Sequence, residues 1–253
     1  MTGATPPTTA IATHDAQDIH IRGKSLTREL IGELTFTEMM VFQVLGHRPS
    51  PAETTVVDAC LVTLMEHGLT PSALATRLIY SSSPDAVQGA VAAGLLGVGS
   101  VFIGTMEGCS GLLARITAAE DRTTEAHLIA EEHRSTRRPV DGFGHPEHKP
   151  DDPRSIKLLA LADEVGVAGP NIDALRTLAA AVDEIYGRHI TINATGAIAA
   201  LLADCGIPPQ IMRGFALVSR CAGLVGHVYE EQRRPAMRAI WHAADKAVPY
   251  APE

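Results

Sequence analysis

The sequence predicts an all-α protein, and three observations carry that prediction. Apolar residues make up 45% of the 253 positions, but aromatics only 4%. The rest of the apolar content is dominated by alanine and leucine, which favour helix over strand. Apolar positions recur at helical spacing, as in Val56, Val57, Cys60, Leu61 and Leu64. The helical stretches are separated by Gly- and Pro-containing breaks, and a single short run, D-I-H-I-R-G at 18–23, reads as a strand or hairpin arm.

Residues 1–16, rich in Thr, Pro and Ala, are expected to form a mobile arm. The remaining 17–253 suit one domain with a subdomain. Thr35–Leu45 is helical, with Met39, Met40, Phe42 and Val44 apolar, until G-H-R-P-S-P breaks it. Ser50, Pro51 and Glu53 open a helix over Pro51–Glu66. H-G-L-T-P-S ends that helix with His67 at its C-terminus, and a second helix follows over Ala73–Tyr80. Asp85–Val98 is an Ala/Gly-rich helix suited to close packing. After the break G-S-V-F-I-G-T-M-E-G, helix resumes over Glu107–Ala119. Asp121–Arg138 is amphipathic and heavily charged and expected to be an exposed helix leading to the central loop. Beyond the central loop come Ser155–Glu164, Asn171–Tyr186, Ala197–Cys205 and Ile211–Glu231, then an Arg-rich segment and a tail.

The central loop is Pro139–Leu158. Gly142 and Gly144 loosen the backbone around His145, and Pro139, Pro146, Pro150 and Pro153 keep the run out of a helix. It carries His145, His148, Lys149 and Arg154 within ten residues. Irregular backbone carrying such groups is where binding and catalytic residues concentrate.

Composition excludes several classes. A net charge of −8, a pI near 5.7 and no basic run argue against nucleic acid. The apolar run Ala86–Ile103 is interrupted by glycines and does not read as a membrane span. The N-terminus lacks the basic and apolar regions of a signal peptide. Cys60, Cys109, Cys205 and Cys221 are scattered, which suits reduced core thiols in a cytoplasmic protein. The histidines show no metal-ligand spacing, so no metal is expected. No phosphate loop, H-E-x-x-H or G-x-S-x-G occurs.

The breaks between helices carry the polar groups: His67, the turn around Phe102, His145 with Arg154, Asn193–Thr195, Arg220 and Arg234. Arginines and histidines converging from separate helix ends suit a small polycarboxylate, since Arg binds carboxylate in bidentate fashion. Arg77 and Asn193 are expected in structural roles, Arg77 in a buried ion pair or cap and Asn193 in a turn. His148 and Lys149 read as solvated loop groups, and His227 as a satisfied core histidine.

The series E-H-G-L-T-P-S, A-T-R at 75–77, G-F-G-H, D-D-P-R at 151–154, I-N-A-T-G, S-R-C-A-G-L-V-G-H-V-x-E-E and R-P resembles the citrate synthase superfamily. It looks most like the short citryl-CoA lyases and the C-terminal domain of ATP-citrate lyase, over roughly residues 17–240. The resemblance implies a helical fold with a large domain, a small one at about 110–205 and a homodimer with its active site in the cleft. It implies a reaction that makes or breaks the bond between an acyl-CoA methyl carbon and an oxoacid carbonyl, with a coenzyme A thioester as substrate. Carried over, His67 matches a substrate-binding histidine and His145 the one that hydrogen-bonds the oxoacid carbonyl or derived alcohol. Arg154 and Arg220 match carboxylate-binding arginines, Arg234 one lent by the partner subunit, and Pro146 with Lys149 the coenzyme A loop.

Three departures stand out. Phe102 replaces a synthase histidine and argues against a synthase but not against a lyase, and Ile103 replaces a small glycine. Thr195 replaces the catalytic aspartate, and a hydroxyl cannot act as a general base near neutral pH. Asp141 and Glu107, on neighbouring breaks, are candidates for a substitute carboxylate. The expected function is a lyase cleaving citryl-CoA or a related 3-hydroxyacyl-CoA. The alternative is a non-catalytic paralogue that binds acyl-CoA or a polycarboxylate.

Overall fold

The structure is a computed structural model and describes residues 6–99 and 103–252. Helix starts follow the local chemistry. α1 (Phe36–Leu45) and α2 (Pro51–Met65) begin with capping boxes, Thr35 with Glu38 and Ser50 with Glu53. α2, α3 (Pro71–Ser82), α7 (Pro153–Val165) and α8 (Pro170–Tyr186) have proline in the first turn, where its missing N–H costs no intrahelical bond. α4 (Val87–Leu96), α5 (Thr105–Ala118), α6 (Arg122–Ser135), α9 (Ala194–Asp204), α10 (Pro209–Arg233) and α11 (Met237–Ala247) complete the set. The all-α expectation holds, with 64% of the structure helical.

α9 organises the packing. Ala194 and the run from Gly196 to Leu202 are all buried, so this helix is apolar on every side and sits inside a ring of α2, α5, α7 and α8. α8 turns Ile172, Leu175, Leu178 and Val182 inward. One continuous core joins these helices to α10, and it includes the stretch expected as the small subdomain. A smaller cluster of Ala73, Ala90, Val91, Leu224 and Val228 fixes α3 and α4 against α10. Cys60, Cys109 and Cys205 are buried free thiols. Burial pushes the Cys109 and Cys205 thiols up to about 12, leaving them inert. No helix is long and apolar enough to cross a membrane among the described residues.

The Asp121–Arg138 segment is the amphipathic, largely exposed helix expected, and α6 turns Ala126, Ile129 and Ala130 inward against α8. Several expectations need correction. The sheet has three strands, β1 (Ala12–His14), β2 (Ile19–Ile21) and β3 (Lys24–Ser25), so pairing starts within the stretch expected to be mobile. Its turn is held by Asp15, whose side chain accepts from the amides of Gln17 and Asp18. β1 is fully exposed and lacks the alternation that marks a strand in sequence. A π-helical turn at Leu26–Leu30 and the whole of α11 were also not anticipated.

Candidate active site

The site forms where the turn after α2 meets the central loop and the start of α9. After Met65 the chain is extended at Glu66 and turns through His67 and Gly68 (φ +74°) before Pro71 opens α3. The central loop is fastened to the start of α9. Gly144 N–H donates to Thr191 O at 2.8 Å, Asn193 N–H to Gly142 O at 3.0 Å, and Asn193 Nδ2–H to Gly144 O at 2.9 Å. Gly142 combines φ +88° with a close approach: a Cβ there would lie 2.6 Å from Cys109 Sγ, and one on Gly196 would lie 2.9 Å from Gly142 Cα. Gly196→Ala must therefore push the loop off the helix. We expect a stability loss of about 1–3 kcal/mol in denaturant unfolding, together with weaker ligand binding as His145 shifts.

His67, His145 and His148 meet above the cavity. His145 stacks on His148 with ring centroids 4.3 Å apart, and His67 stands edge-on to both at 6.2 and 6.3 Å. The fold thus joins three imidazoles that linear spacing did not connect, each offering a nitrogen within 4.8 Å of the others, the spacing of a candidate metal triad. His145 Nδ1, however, accepts from the amides of Glu147 (3.1 Å) and His148 (3.0 Å). Its single proton is therefore on Nε2. A cation could be taken at Nε2 only after that last ring proton is lost, so the arrangement favours a hydrogen-bond donor over a metal ligand. Burial, with the neighbouring His148 and Arg154, holds the His145 value below the ordinary 6.5, so the ring is neutral at pH 7.

Arg154 is held by Asp152, which is fully buried. The guanidinium donates Nε–H to Oδ1 at 3.0 Å and Nη2–H to Oδ2 at 2.8 Å, while Asp152 also accepts from the amides of Arg154 and Ala194. Beside this pair His189 bridges Asp183 (Nδ1, 2.6 Å) and Asp151 (Nε2, 2.9 Å). Those two carboxylates raise the His189 value above 6.5. Because the folded value is raised, the stabilising contribution is complete below pH 6.5 and fades as pH rises through the folded value. The groups are half exposed, so the effect is small. NMR titration should place the His189 midpoint above 6.5, and Asp151→Asn should bring it back toward that value.

Arg220, on α10, is 8% exposed, and its Nη1 has no hydrogen-bond partner among the described residues. Thr195 donates to Asn193 Oδ1 at 2.7 Å and lies 3.0 Å from Thr105 Oγ1. A hydroxyl has one proton, so Thr195 must accept from Thr105, and both hydroxyl protons are committed.

At the centre of the site is a cavity of about 470 Å³. Of the residues expected at a site, His67, His145, Pro146, Arg154, Thr195 and Arg220 line it, as does Ile103. Lys149 and Arg234 are exposed and do not. Phe102 lies outside the described residues. Neither proposed substitute carboxylate reaches the cavity: Glu107 pairs with Arg213, and Asp141 packs on Gly108 with its carboxyl pushed up by burial. Glu147 supplies the only carboxylate in the wall among the described residues. His148 is half-buried and stacked, not solvated. His227 belongs to a charged chain and not to the apolar core, whereas Arg77 and Asn193 have the ion-pair and turn roles expected. Thr105 was missed, and the run I-G-T-M-E-G does not show that its hydroxyl meets Thr195. The part of Asp152 was visible only as a letter in D-D-P-R.

The chain matches the family model described as "Citrate synthase, C-terminal domain" over residues 3–242. It is 28% identical to the putative citrate synthase 2 of Mycobacterium bovis over 192 residues, covering 73% of this chain and 49% of that protein. It thus spans about half the length of such curated relatives. Among solved structures it is similar to citryl-CoA lyase from Hydrogenobacter thermophilus, with a TM-score of 0.88, 28% identity and coverage of 97% of this chain and 94% of that one. The ATP citrate lyase of Methanosaeta concilii, solved with citryl-CoA, shares the fold at a TM-score of 0.78 and 16% identity, over 100% of this chain and 43% of that one. The order of motifs, the helical frame around α9 and these matches agree: the chain belongs to the citrate synthase family.

Proposed function

We propose that the protein is an acyl-CoA carbon–carbon lyase acting on citryl-CoA or a related 3-hydroxyacyl-CoA. One observation carries this reading: two histidines and two arginines from separate elements, His67, His145, Arg154 and Arg220, line a single cavity. The similarity to citryl-CoA lyase along nearly the whole of both chains supports it. Arg154 and Arg220 bind substrate carboxylates. His145 Nε2–H donates to the substrate hydroxyl oxygen and follows it as it becomes a carbonyl. With Nδ1 engaged, neutral His145 cannot take the alcohol proton, which passes to His67, whose ring makes no hydrogen bond among the described residues.

As the O–H bond breaks, the C=O forms and the carbon–carbon bond opens, leaving its electron pair on the thioester enolate. The enolate then takes a proton from a water held by the remaining lone pair of Thr195. The proton that His67 took from the alcohol neutralises the hydroxide left behind, so the net change is one proton moved from oxygen to carbon. Lacking a carboxyl acid, this step is expected to run about 10²–10⁴-fold slower than with one. Coenzyme A lies along Pro146 and Lys149. In a homodimer, exposed Arg234 at the end of α10 completes the partner's site. The four free cysteines support a cytoplasmic setting. The test is release of an acyl-CoA and an oxoacid from citryl-CoA by the purified protein.

A second reading is favoured by Thr195 and by the missing substitute for its carboxylate: a paralogue that binds acyl-CoA or a polycarboxylate without turning it over. Binding of citrate and coenzyme A by calorimetry, with no product released, would select it.

A further inference from the structure

We propose that Glu66, His227 and Arg77 form a positioning relay that fixes His67 over the cavity, although none of the three lines it. The inference rests on the cavity reading above. The His67 ring makes no hydrogen bond among the described residues, so its place depends on the turn that carries it. That turn is wrapped by Glu66, whose Oε1 accepts from the amides of His67 at 2.8 Å and Gly68 at 2.7 Å. Glu66 Oε2 faces the other way, 2.9 Å from His227 Nε2 but off the angle of a good hydrogen bond.

His227 Nδ1 accepts from Arg77 Nε–H at 2.9 Å, which leaves the proton of the neutral ring on Nε2, facing Glu66. Arg77 is buried and donates Nη1–H to Glu231 at 2.9 Å and Nη2–H to Glu230. Glu231, 2% exposed, anchors the far end by accepting also from Ser81 and from the amides of Ala236 and Met237. The chain of contacts therefore runs from the His67 amide to a buried carboxylate.

α10 is built to carry it. Arg220, Gly223, His227, Glu230 and Glu231 fall on one face at helical spacing. At Gly223 a Cβ would collide with the Met65 carbonyl oxygen and lie 3.2 Å from Glu66 Oε2, so α10 and the end of α2 touch without an intervening side chain. Arg220, on the same face, lines the cavity with no ion-pair partner among the described residues, and Glu66 is the acidic group whose charge reaches it. One helix face thus places Arg220 directly and His67 through Glu66.

A purely structural network would lower stability without altering the cavity, so the test compares His227→Leu, His227→Gln and Glu66→Gln. Glutamine at 227 can accept from Arg77 or donate to Glu66, and glutamine at 66 keeps an oxygen for the two amides. Citrate affinity is measured by calorimetry, and the His67 ring signals by NMR. His227→Leu should weaken citrate binding about tenfold, within the coupling seen for contacting networks, and shift the His67 signals. His227→Gln should recover most of both, and Glu66→Gln should behave like His227→Leu. Unchanged His67 signals in folded His227→Leu and Glu66→Gln would overturn the relay, as would unchanged citrate affinity. If His227→Leu does not fold, Glu66→Gln decides alone. If the wild type binds neither citrate nor coenzyme A, the cavity reading fails while the His67 signals still decide the relay.

Discussion

Asp152→Ala is expected to destabilise the protein by about 3 kcal/mol, the lower end of the cost of leaving one member of a buried pair. Arg154 is 28% exposed and can partly recover by moving into solvent, which keeps the loss from being larger. The change also removes a helix cap at α7 and a bond to the Ala194 amide, and it frees the guanidinium to wander from the cavity. Citrate affinity should fall with stability, and both are measurable on one preparation by denaturant unfolding and calorimetry. The pH dependence follows. Burial acts to raise the Asp152 value, but the bonds from Arg154 outweigh it and hold the carboxyl below its ordinary 3.8. A lowered folded value means the contribution is present above pH 3.8 and is lost as pH falls through the folded value. The wild type should thus lose stability on acidification below pH 4, and Asp152→Ala should lose less over that window.

Thr195→Asp is expected to raise citryl-CoA cleavage by about 10²-fold or more, within the range contributed by a positioned acid or base. Position 195 lies in the first turn of α9, where the helix dipole favours a carboxylate. Asn193 would have to give up its bond from the Thr195 hydroxyl and turn its amide to donate instead. Release of acetyl-CoA and oxaloacetate by the variant against the wild type measures the gain. No gain, with citrate binding intact, would mean that the pocket serves another substrate or binding alone.

The helices were legible because their signals are local: capping pairs at Thr35 and Ser50, prolines in first turns, and apolar faces such as that of α8. α11 was passed over as a tail although its pattern is amphipathic; none of its residues is buried, and Trp241 stays exposed. β1 was missed because an exposed edge strand needs no alternation. At the site, motif order brought His67, His145, Arg154, Thr195 and Arg220 into view. It did not show how they are held, because Asp152, Thr105 and the chain from Glu66 to Glu231 act through contacts up to 154 residues apart in sequence. Nor could it show the tautomer of His145, which depends on two backbone amides of its own loop.

The measurement that tests the central claim most directly is an assay of purified protein with citryl-CoA, following acetyl-CoA and oxaloacetate, beside His145→Ala. The account predicts slow cleavage by the wild type and a further loss of about 10²–10⁴-fold in the variant. No turnover by the wild type, together with no coenzyme A binding by calorimetry, would contradict it.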